Sequence, residues 1–197
     1  VQKDAGTLLC DAEYRSCSDS AASAIAAVRA GLDARQAAEP GNRDVFVGAR
    51  LREASWPDPV RLAELDAATG GTPVVLVCID LHSCWLNSAA LERYGVREHR
   101  EGIISEHEAY RVEGEIAKVP DATLDAWVAE SLTRAAAIGT VGIVDLEMRD
   151  NVAAWRRRAA SGPVPLRVEA SAYLDQLDAA IAAGLVTGDP IEPSGLV

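Results

Sequence analysis

Polar side chains follow an apolar, valine-rich run at residues 74–79, where a strand is predicted to end. Asp80 and His82 come directly after this run, and Asn87 follows a few residues later. An imidazole can give or take a proton, and an amide can both donate and accept hydrogen bonds. Open α/β sheets and barrels bind their ligands at the carboxyl ends of strands. The pattern therefore favours a substrate-facing site. For His82, an open alternative is a loop in which the imidazole makes a structural hydrogen bond within the protein.

A second acid, Asp145, ends another predicted strand, the apolar run at residues 141–144. In a barrel this position lies at the rim where catalytic side chains gather, so Asp145 is a candidate catalytic carboxylate. Aspartate also favours strand ends because its side chain caps turns, and that structural interpretation stays open.

The residues that could bind a metal ion are few and scattered. No H-x-H or H-x-x-x-H spacing links the three histidines, and the cysteine spacings match no zinc or redox pattern. His107 lies between two glutamates and is interpreted as an exposed side chain. We therefore predict no metal site in this chain and expect it to bind no stoichiometric zinc. The histidines are His82, His99 and His107, and the cysteines are Cys10, Cys17, Cys78 and Cys84.

Composition excludes several partners. The net charge is −11, and the one basic cluster, residues 156–158, is interpreted as a solvated helix face, so no nucleic-acid partner is expected. No apolar run approaches the roughly 20 residues that a membrane span needs, so no membrane partner is expected either. Without a signal-peptide pattern or a disulfide framework, we expect reduced thiols and a cytoplasmic protein.

The order of predicted elements changes near residue 120. From Thr123 onward, helix, strand, helix, strand and helix alternate, which is typical of parallel strands joined by right-handed crossovers. The preceding residues do not share this rhythm, and residues 95–122 show no clear period. We therefore predict an α/β protein with an α+β unit at 1–120 and βα units at 121–197.

Several motifs in this order resemble the amidohydrolase superfamily, in its amidohydrolase-3-like branch. Residues 73–91 match a pattern like PVVLVxxDxHSxWxNSxAL, and residues 102–106 match G-[IL]-[IL]-x-E. Residues 141–145 and 166–168 resemble two barrel strands of that family, and the likeness spans roughly residues 40–190. The residues that match the first pattern are Asp80, His82, Ser83, Trp85, Asn87, Ser88 and Leu91.

This resemblance implies a partial TIM-type (β/α) barrel with an inserted α+β subdomain. The family's reaction is attack of a metal-activated water on a C–N bond, with a divalent metal, expected to be zinc, in the complete enzyme. The family's metal ligands would all lie outside this chain, which would be a central fragment and inactive alone. His82 and Asn87 would bind a small-molecule substrate, Glu106 would place a carboxylate near the pocket, and Asp145 would lie at the active rim.

Two other classes of protein fit the same residues. One is a non-catalytic binding or interaction module that keeps the architecture without metal. The other is the product of a truncated reading frame that covers its incomplete barrel by pairing with itself. Because two or three barrel strands leave open edges, we expect self-association of the chain as it stands.

Overall fold

The computed structural model describes residues 7–8, 18–116, 118–188 and 190. The chain divides into two compact units, Val1–Lys118 and Val119–Val197, which are treated separately below. Both units combine helices and strands, so the predicted α/β class is confirmed at this level. None of the helices in the described ranges has the length and apolar character of a bilayer-spanning segment.

A five-stranded mixed sheet forms the centre of the first unit. The strand order follows the chain, and the first three strands pair in parallel while the last two pairings are antiparallel. The strands are β1 (Thr7–Leu8), β2 (Phe46–Leu51), β3 (Val74–Cys78), β4 (Ser83–Leu86) and β5 (Ile103–Ser105).

Helices cover both faces of this sheet. The helices are α1 (Ala21–Ala38), α2 (Leu62–Thr69), α3 (Ser88–Arg93) and α4 (His107–Ile116). One apolar cluster joins α1 and α2 to Leu76 and Trp85 of the sheet. A second cluster joins α3 and α4 to Val75 and Leu86. All five residues of β3 are buried, as expected for a strand covered on both faces, which explains its unbroken apolar sequence.

The polar stretch after β3 forms a hairpin rather than one long loop. The chain reverses at residues 79–82, and β4 then runs back antiparallel to β3, with Val75 opposite Leu86. The sequence predicted β3, but it did not predict β4. It also left residues 95–122 without a period, where the structure has β5 and α4.

The second unit contains a short βαβ motif. Its elements are α5 (Asp121–Ala137), β6 (Gly142–Asp145), α6 (Asn151–Ser161), β7 (Arg167–Ala170) and α7 (Leu177–Ala182). The strands β6 and β7 pair in parallel around the crossover helix α6, which confirms the predicted order of elements. Among the described residues neither sheet closes on itself, so a TIM-type barrel is not seen in this chain.

A small core and a partly exposed ion cluster hold α5 and α6 together. Trp155 and Leu132 pack with Val168 of β7. Asp125 on α5 lies 2.7 Å from the Arg157 guanidinium and 2.8 Å from that of Arg158. The hydrogen bond from Arg157 lowers the pKa of the Asp125 carboxyl. The stability that this carboxylate contributes is therefore present above its unfolded-state pKa and is lost as the pH falls through the folded value.

The second unit also exposes much apolar surface. Nine large apolar side chains of this unit are at least 44% exposed, whereas among the described residues of the first unit Leu81 alone is exposed to that extent. A monomeric protein rarely leaves a wide apolar surface in water. The nine residues are Ile138, Val141, Val144, Leu146, Met148, Leu174, Leu177, Ile181 and Val186.

The backbone conformation at residue 102 and its close contact with β4 explain why this position, just before β5, is a glycine. Its φ of +87° lies in the region that favours glycine, and its carbonyl accepts a hydrogen bond of 2.9 Å from the Leu86 amide. A Cβ at this position would lie 2.3 Å from the Leu86 carbonyl oxygen. Gly41 has the same φ of +87°, but no described atom lies within 4 Å of its would-be Cβ.

We expect Gly102→Ala to destabilise the protein far more than Gly41→Ala. The two substitutions share the left-handed strain, which costs roughly 1–2 kcal/mol. Gly102→Ala must also displace the β4 backbone, which should cost at least about 2 kcal/mol more. Urea unfolding followed by circular dichroism measures both free energies, and equal losses for the two variants would contradict this account.

Candidate functional site

The turn between β3 and β4 is organised by the Asp80 carboxylate. Its Oδ1 accepts hydrogen bonds from the backbone amides of His82, at 2.9 Å, and Ser83, at 3.2 Å. The Ser83 hydroxyl donates to the same carboxylate, and Leu81 adopts a φ of +58° within the turn. Aspartate favours such turns because its side chain can replace a backbone acceptor two residues on. Asp80 therefore fixes the position of the His82 backbone.

The start of α4 brings a second carboxylate to the same place. Since β5 pairs with β4, Ser105 lies opposite Ser83, and the next residue, Glu106, reaches His82. The Glu106 amide donates to the His82 carbonyl at 2.8 Å. Glu106 has a φ of +53°, an uncommon value for a residue other than glycine. The two predicted substrate-binding residues His82 and Glu106 are thus neighbours.

Three side chains form the candidate site, which we call the His82 cluster: His82, Glu106 and Tyr110. The Tyr110 hydroxyl lies 2.5 Å from His82 Nδ1 and 3.2 Å from Glu106 Oε2. His82 Nδ1 lies 3.5 Å from Glu106 Oε1, and the side chains of these two residues are 59% and 66% exposed. Desolvation, followed by the hydrogen bond to Glu106, raises the pKa of the Tyr110 phenol, which keeps it a donor. The cluster can therefore donate, accept and carry charge at a surface open to a ligand.

Tyr110 was not identified from the sequence. It lies one helical turn after Glu106, and its amide donates to the Glu106 carbonyl at 2.9 Å, which places both side chains on one side of α4. The spacing of Glu106 and Tyr110 could have signalled this pair, but only if α4 had been predicted.

The two cysteines near the cluster are not nucleophiles. Cys78 and Cys84 are buried free thiols. Burial raises the pKa of Cys78 to about 12, and burial together with the neighbouring Glu113 carboxylate raises the pKa of Cys84. Because the thiolate is the reactive form, neither residue can serve in nucleophilic catalysis at neutral pH. Cys10 and Cys17 lie outside the described residues.

Asn87, predicted to bind substrate, is 1% exposed and is fully engaged by the protein. Its Oδ1 accepts from the amides of Val74, at 2.9 Å, and Ala90, at 3.0 Å. Its Nδ2 donates to the Thr69 hydroxyl and the Thr72 carbonyl, each at 2.8 Å. The amide caps α3 and ties it to β3, so these four hydrogen bonds are all made within the protein. This geometry gives Asn87 a structural role, and a substrate contact by Asn87 stays a prediction.

Asp145 ends β6 in the second unit, where the sequence placed it, but its carboxylate is used locally. Oδ2 accepts a hydrogen bond of 2.7 Å from the Trp155 indole, and Oδ1 accepts one of 3.0 Å from the Glu147 amide. Its backbone carbonyl accepts from the Ser171 hydroxyl at 2.8 Å. Asp145 thereby links β6, α6 and the end of β7. These bonds match the turn-forming alternative, and a catalytic role for Asp145 stays a prediction.

No metal centre is formed by the residues that the structure describes. None of the histidine, cysteine, aspartate and glutamate side chains in those ranges gather in threes around a common point. His82 is accompanied by one carboxylate and a phenol, and His99 Nδ1 accepts a bond from the Gly102 amide. These donors do not supply the three or four ligands that a catalytic zinc requires.

A separate cavity of about 880 Å³ lies within the second unit, between α5, α6 and the loop before β7. Leu132 and Trp155 line it, and the pairs between Asp125 and Arg157 and Arg158 lie at its wall. None of the residues predicted to bind substrate or catalyse lines this cavity. Its charged groups already satisfy one another, so the His82 cluster is the better candidate for chemistry.

Comparison with known proteins shows a fold likeness. No protein-family model and no curated protein matches the sequence significantly. An uncharacterized metal-dependent hydrolase from Pyrococcus horikoshii OT3 is similar to the chain in structure, with a TM-score of 0.54 and 16% identity over 91% of this chain. An uncharacterized metal-dependent hydrolase from Pyrococcus furiosus gives a TM-score of 0.52 and 15% identity, also over 91% of the chain.

The chain covers only part of these two proteins, 35% of the first and 37% of the second. At such low identity the likeness concerns the fold alone. The chain therefore shares its α/β fold with about a third of each of these longer proteins.

We expect Asn87→Ala and His82→Ala to differ sharply in stability. Removing Asn87 deletes a helix cap and leaves buried amides unpaired, which should cost about 2–4 kcal/mol. Removing the exposed His82 should change stability by no more than about 0.5 kcal/mol. Urea midpoints of the two variants measure the difference, and a large loss for His82→Ala would show that His82 has a structural role.

Proposed function

We propose that this chain is the central part of a metal-dependent hydrolase that acts on C–N bonds of amide type. The observation that carries the proposal is the fold likeness over 91% of the chain to parts of two proteins named metal-dependent hydrolases. The motif at residues 73–91, which resembles the amidohydrolase-3-like branch, supports the finer assignment. In this proposal the second unit belongs to a TIM-type barrel, and the first unit is the inserted α+β subdomain that contributes to substrate binding.

The divalent metal of the proposed enzyme, for which zinc is the first candidate, is assigned to segments outside this chain. The described residues offer no cluster that could hold it, so this chain is proposed to contribute binding groups rather than metal ligands. In the family that the motifs resemble, an H-x-H motif and a later segment like VKxxxDG, with a metal-bridging lysine, supply metal ligands. The coding sequence that flanks this chain should then encode the H-x-H upstream and the VKxxxDG-like segment downstream.

The proposed role of the His82 cluster is substrate binding. Its imidazole, phenol and carboxylate can pair with the N–H and C=O groups of an amide or a cyclic imide. The unusual backbone at Leu81 and Glu106 supports this role, because sparsely populated φ values cluster at ligand sites. The Asp80 bonds to the turn keep the cluster in place before a substrate arrives.

The alternative function is a binding module without metal or catalysis. The His82 cluster would serve such a module equally well, because it needs no metal to bind a polar ligand. Metal content and turnover of the longer protein separate the two functions.

The first test uses the protein extended by its flanking coding sequence. Elemental analysis should find bound divalent metal, and a panel of amides, cyclic imides and ureas should include a substrate. His82→Ala is expected to lower kcat/KM by about tenfold or more, as loss of one substrate hydrogen bond requires. His107→Ala is the matched control, because His107 is an exposed histidine outside the cluster and should leave kcat/KM unchanged. Absence of both metal and turnover would refute the hydrolase proposal and favour the binding module.

We also propose that the chain alone associates with itself through the second unit. The exposed apolar side chains of that unit and the two-stranded sheet offer surface and strand edges that another copy can cover.

Val144→Lys is therefore expected to shift the chain toward the monomer in light scattering coupled to size-exclusion chromatography. Leu81→Lys is the matched control in the first unit, since Leu81 and Val144 are 58% and 59% exposed. A parent protein that is monomeric at all concentrations would contradict the association, and an equal effect of the two variants would contradict its location.

A further inference from the structure

The His82 cluster contains one hydroxyl proton for two hydrogen bonds. The Tyr110 oxygen lies within bonding distance of both His82 Nδ1, at 2.5 Å, and Glu106 Oε2, at 3.2 Å. A phenol has a single O–H, so it can donate to only one of these atoms and must accept from the other. The partner's chemistry decides which bond takes the proton.

An ionised carboxylate accepts hydrogen bonds and cannot donate them. Tyr110 must therefore donate to Glu106, and its oxygen is then free to accept from His82 Nδ1. The contact of 3.5 Å between His82 Nδ1 and Glu106 Oε1 favours the same arrangement, because it places a hydrogen-bearing nitrogen near a negative charge. The opposite tautomer would direct a nitrogen lone pair at that carboxylate and leave Glu106 without the Tyr110 proton.

We propose that Tyr110 is a positioning residue that, in the neutral form of His82, holds the proton on Nδ1, so that Nε2 faces a ligand as a hydrogen-bond acceptor. No described group bonds to Nε2, and the side chain is 59% exposed, so a ligand can reach this atom. An acceptor at this point recognises an N–H or O–H group. The substrate class follows on the basis of the proposed function: an amide or imide that still carries an N–H.

His99 provides an internal reference with the opposite proton position. Its Nδ1 accepts a hydrogen bond of 3.2 Å from the Gly102 amide. A neutral imidazole that accepts at Nδ1 must carry its proton on Nε2. The two histidines should therefore show opposite tautomers in the same protein.

The tautomers can be measured on this chain without any substrate. Long-range proton–nitrogen correlation NMR of ¹⁵N-histidine-labelled protein, in buffer alkaline enough to give neutral imidazoles, reports the protonated nitrogen of each ring. We expect Nδ1–H for His82 and Nε2–H for His99. An Nε2–H signal for His82 in the parent protein would overturn the proposal.

Two variants test the roles of the Tyr110 hydroxyl and of the Glu106 carboxylate separately. Tyr110→Phe removes the bridging hydroxyl, and Glu106→Ala removes the acceptor and frees the Tyr110 proton for Nδ1. Either change should move His82 toward the Nε2–H tautomer while His99 stays unchanged, because the 3.5 Å contact between Nδ1 and Glu106 is too long to hold the proton on Nδ1 by itself. Tyr173→Phe is the control, since it deletes a phenol that bonds to the Leu146 carbonyl in the second unit, and it should change neither histidine. A His82 tautomer that survives Tyr110→Phe would show that Tyr110 does not position it.

The substrate class is tested in the longer protein by comparing a secondary amide with its N-methylated analogue. The parent should prefer the amide with the N–H, and Tyr110→Phe should reduce this preference in kcat/KM by about tenfold, the effect of one hydrogen bond. A preference that is unchanged in Tyr110→Phe would overturn the assigned substrate class. Absence of all hydrolysis would count against the proposed function, whereas the NMR measurement would still decide the tautomer.

Discussion

Burial of β3 on both faces is the constraint on which the first unit depends. Its five residues lie between two helical layers, with Leu76 facing one apolar cluster and Val75 the other. Full burial of such side chains contributes roughly 1.5–3 kcal/mol each. A strand of this kind cannot accept polar side chains within its length, so Asp80 and His82 can appear only where the chain leaves the sheet. The candidate site is thus a consequence of where the core ends.

The hairpin after β3 gives some of the polar residues a structural role and leaves His82 exposed. Asp80 closes the turn with bonds to backbone amides, and His82 is left at the exposed tip. Asn87 lies at the other end of β4, where it is buried and its side chain makes four hydrogen bonds. A buried amide is tolerated only when it is paired in this way, so the burial of Asn87 explains its four hydrogen bonds within the protein.

The second unit is held together by a smaller apolar core, an indole hydrogen bond and ion pairs. Its core is small, and α6 is anchored by Trp155, whose indole donates to Asp145, and by the ion pairs of Arg157 and Arg158 with Asp125. Nine large apolar side chains of this unit remain exposed, against four buried residues in its core. This imbalance is what a segment of a larger barrel would show, and it is equally what a self-associating chain would show.

The sequence by itself determined the elements whose signals are local. The valine-rich run of β3 and the alternation from α5 to β7 have strong periodicity, and His82 and Asp145 could be placed at strand ends from their neighbours alone. Tertiary structure decided the antiparallel return of β4, the inward direction of Asn87 and the meeting of Glu106 and Tyr110 with His82. These depend on strand register and on the φ values of Leu81 and Glu106, which are set by pairing between residues distant in the chain. A one-residue change of register would reverse which side chains face the core, and no pattern within a single segment encodes that choice.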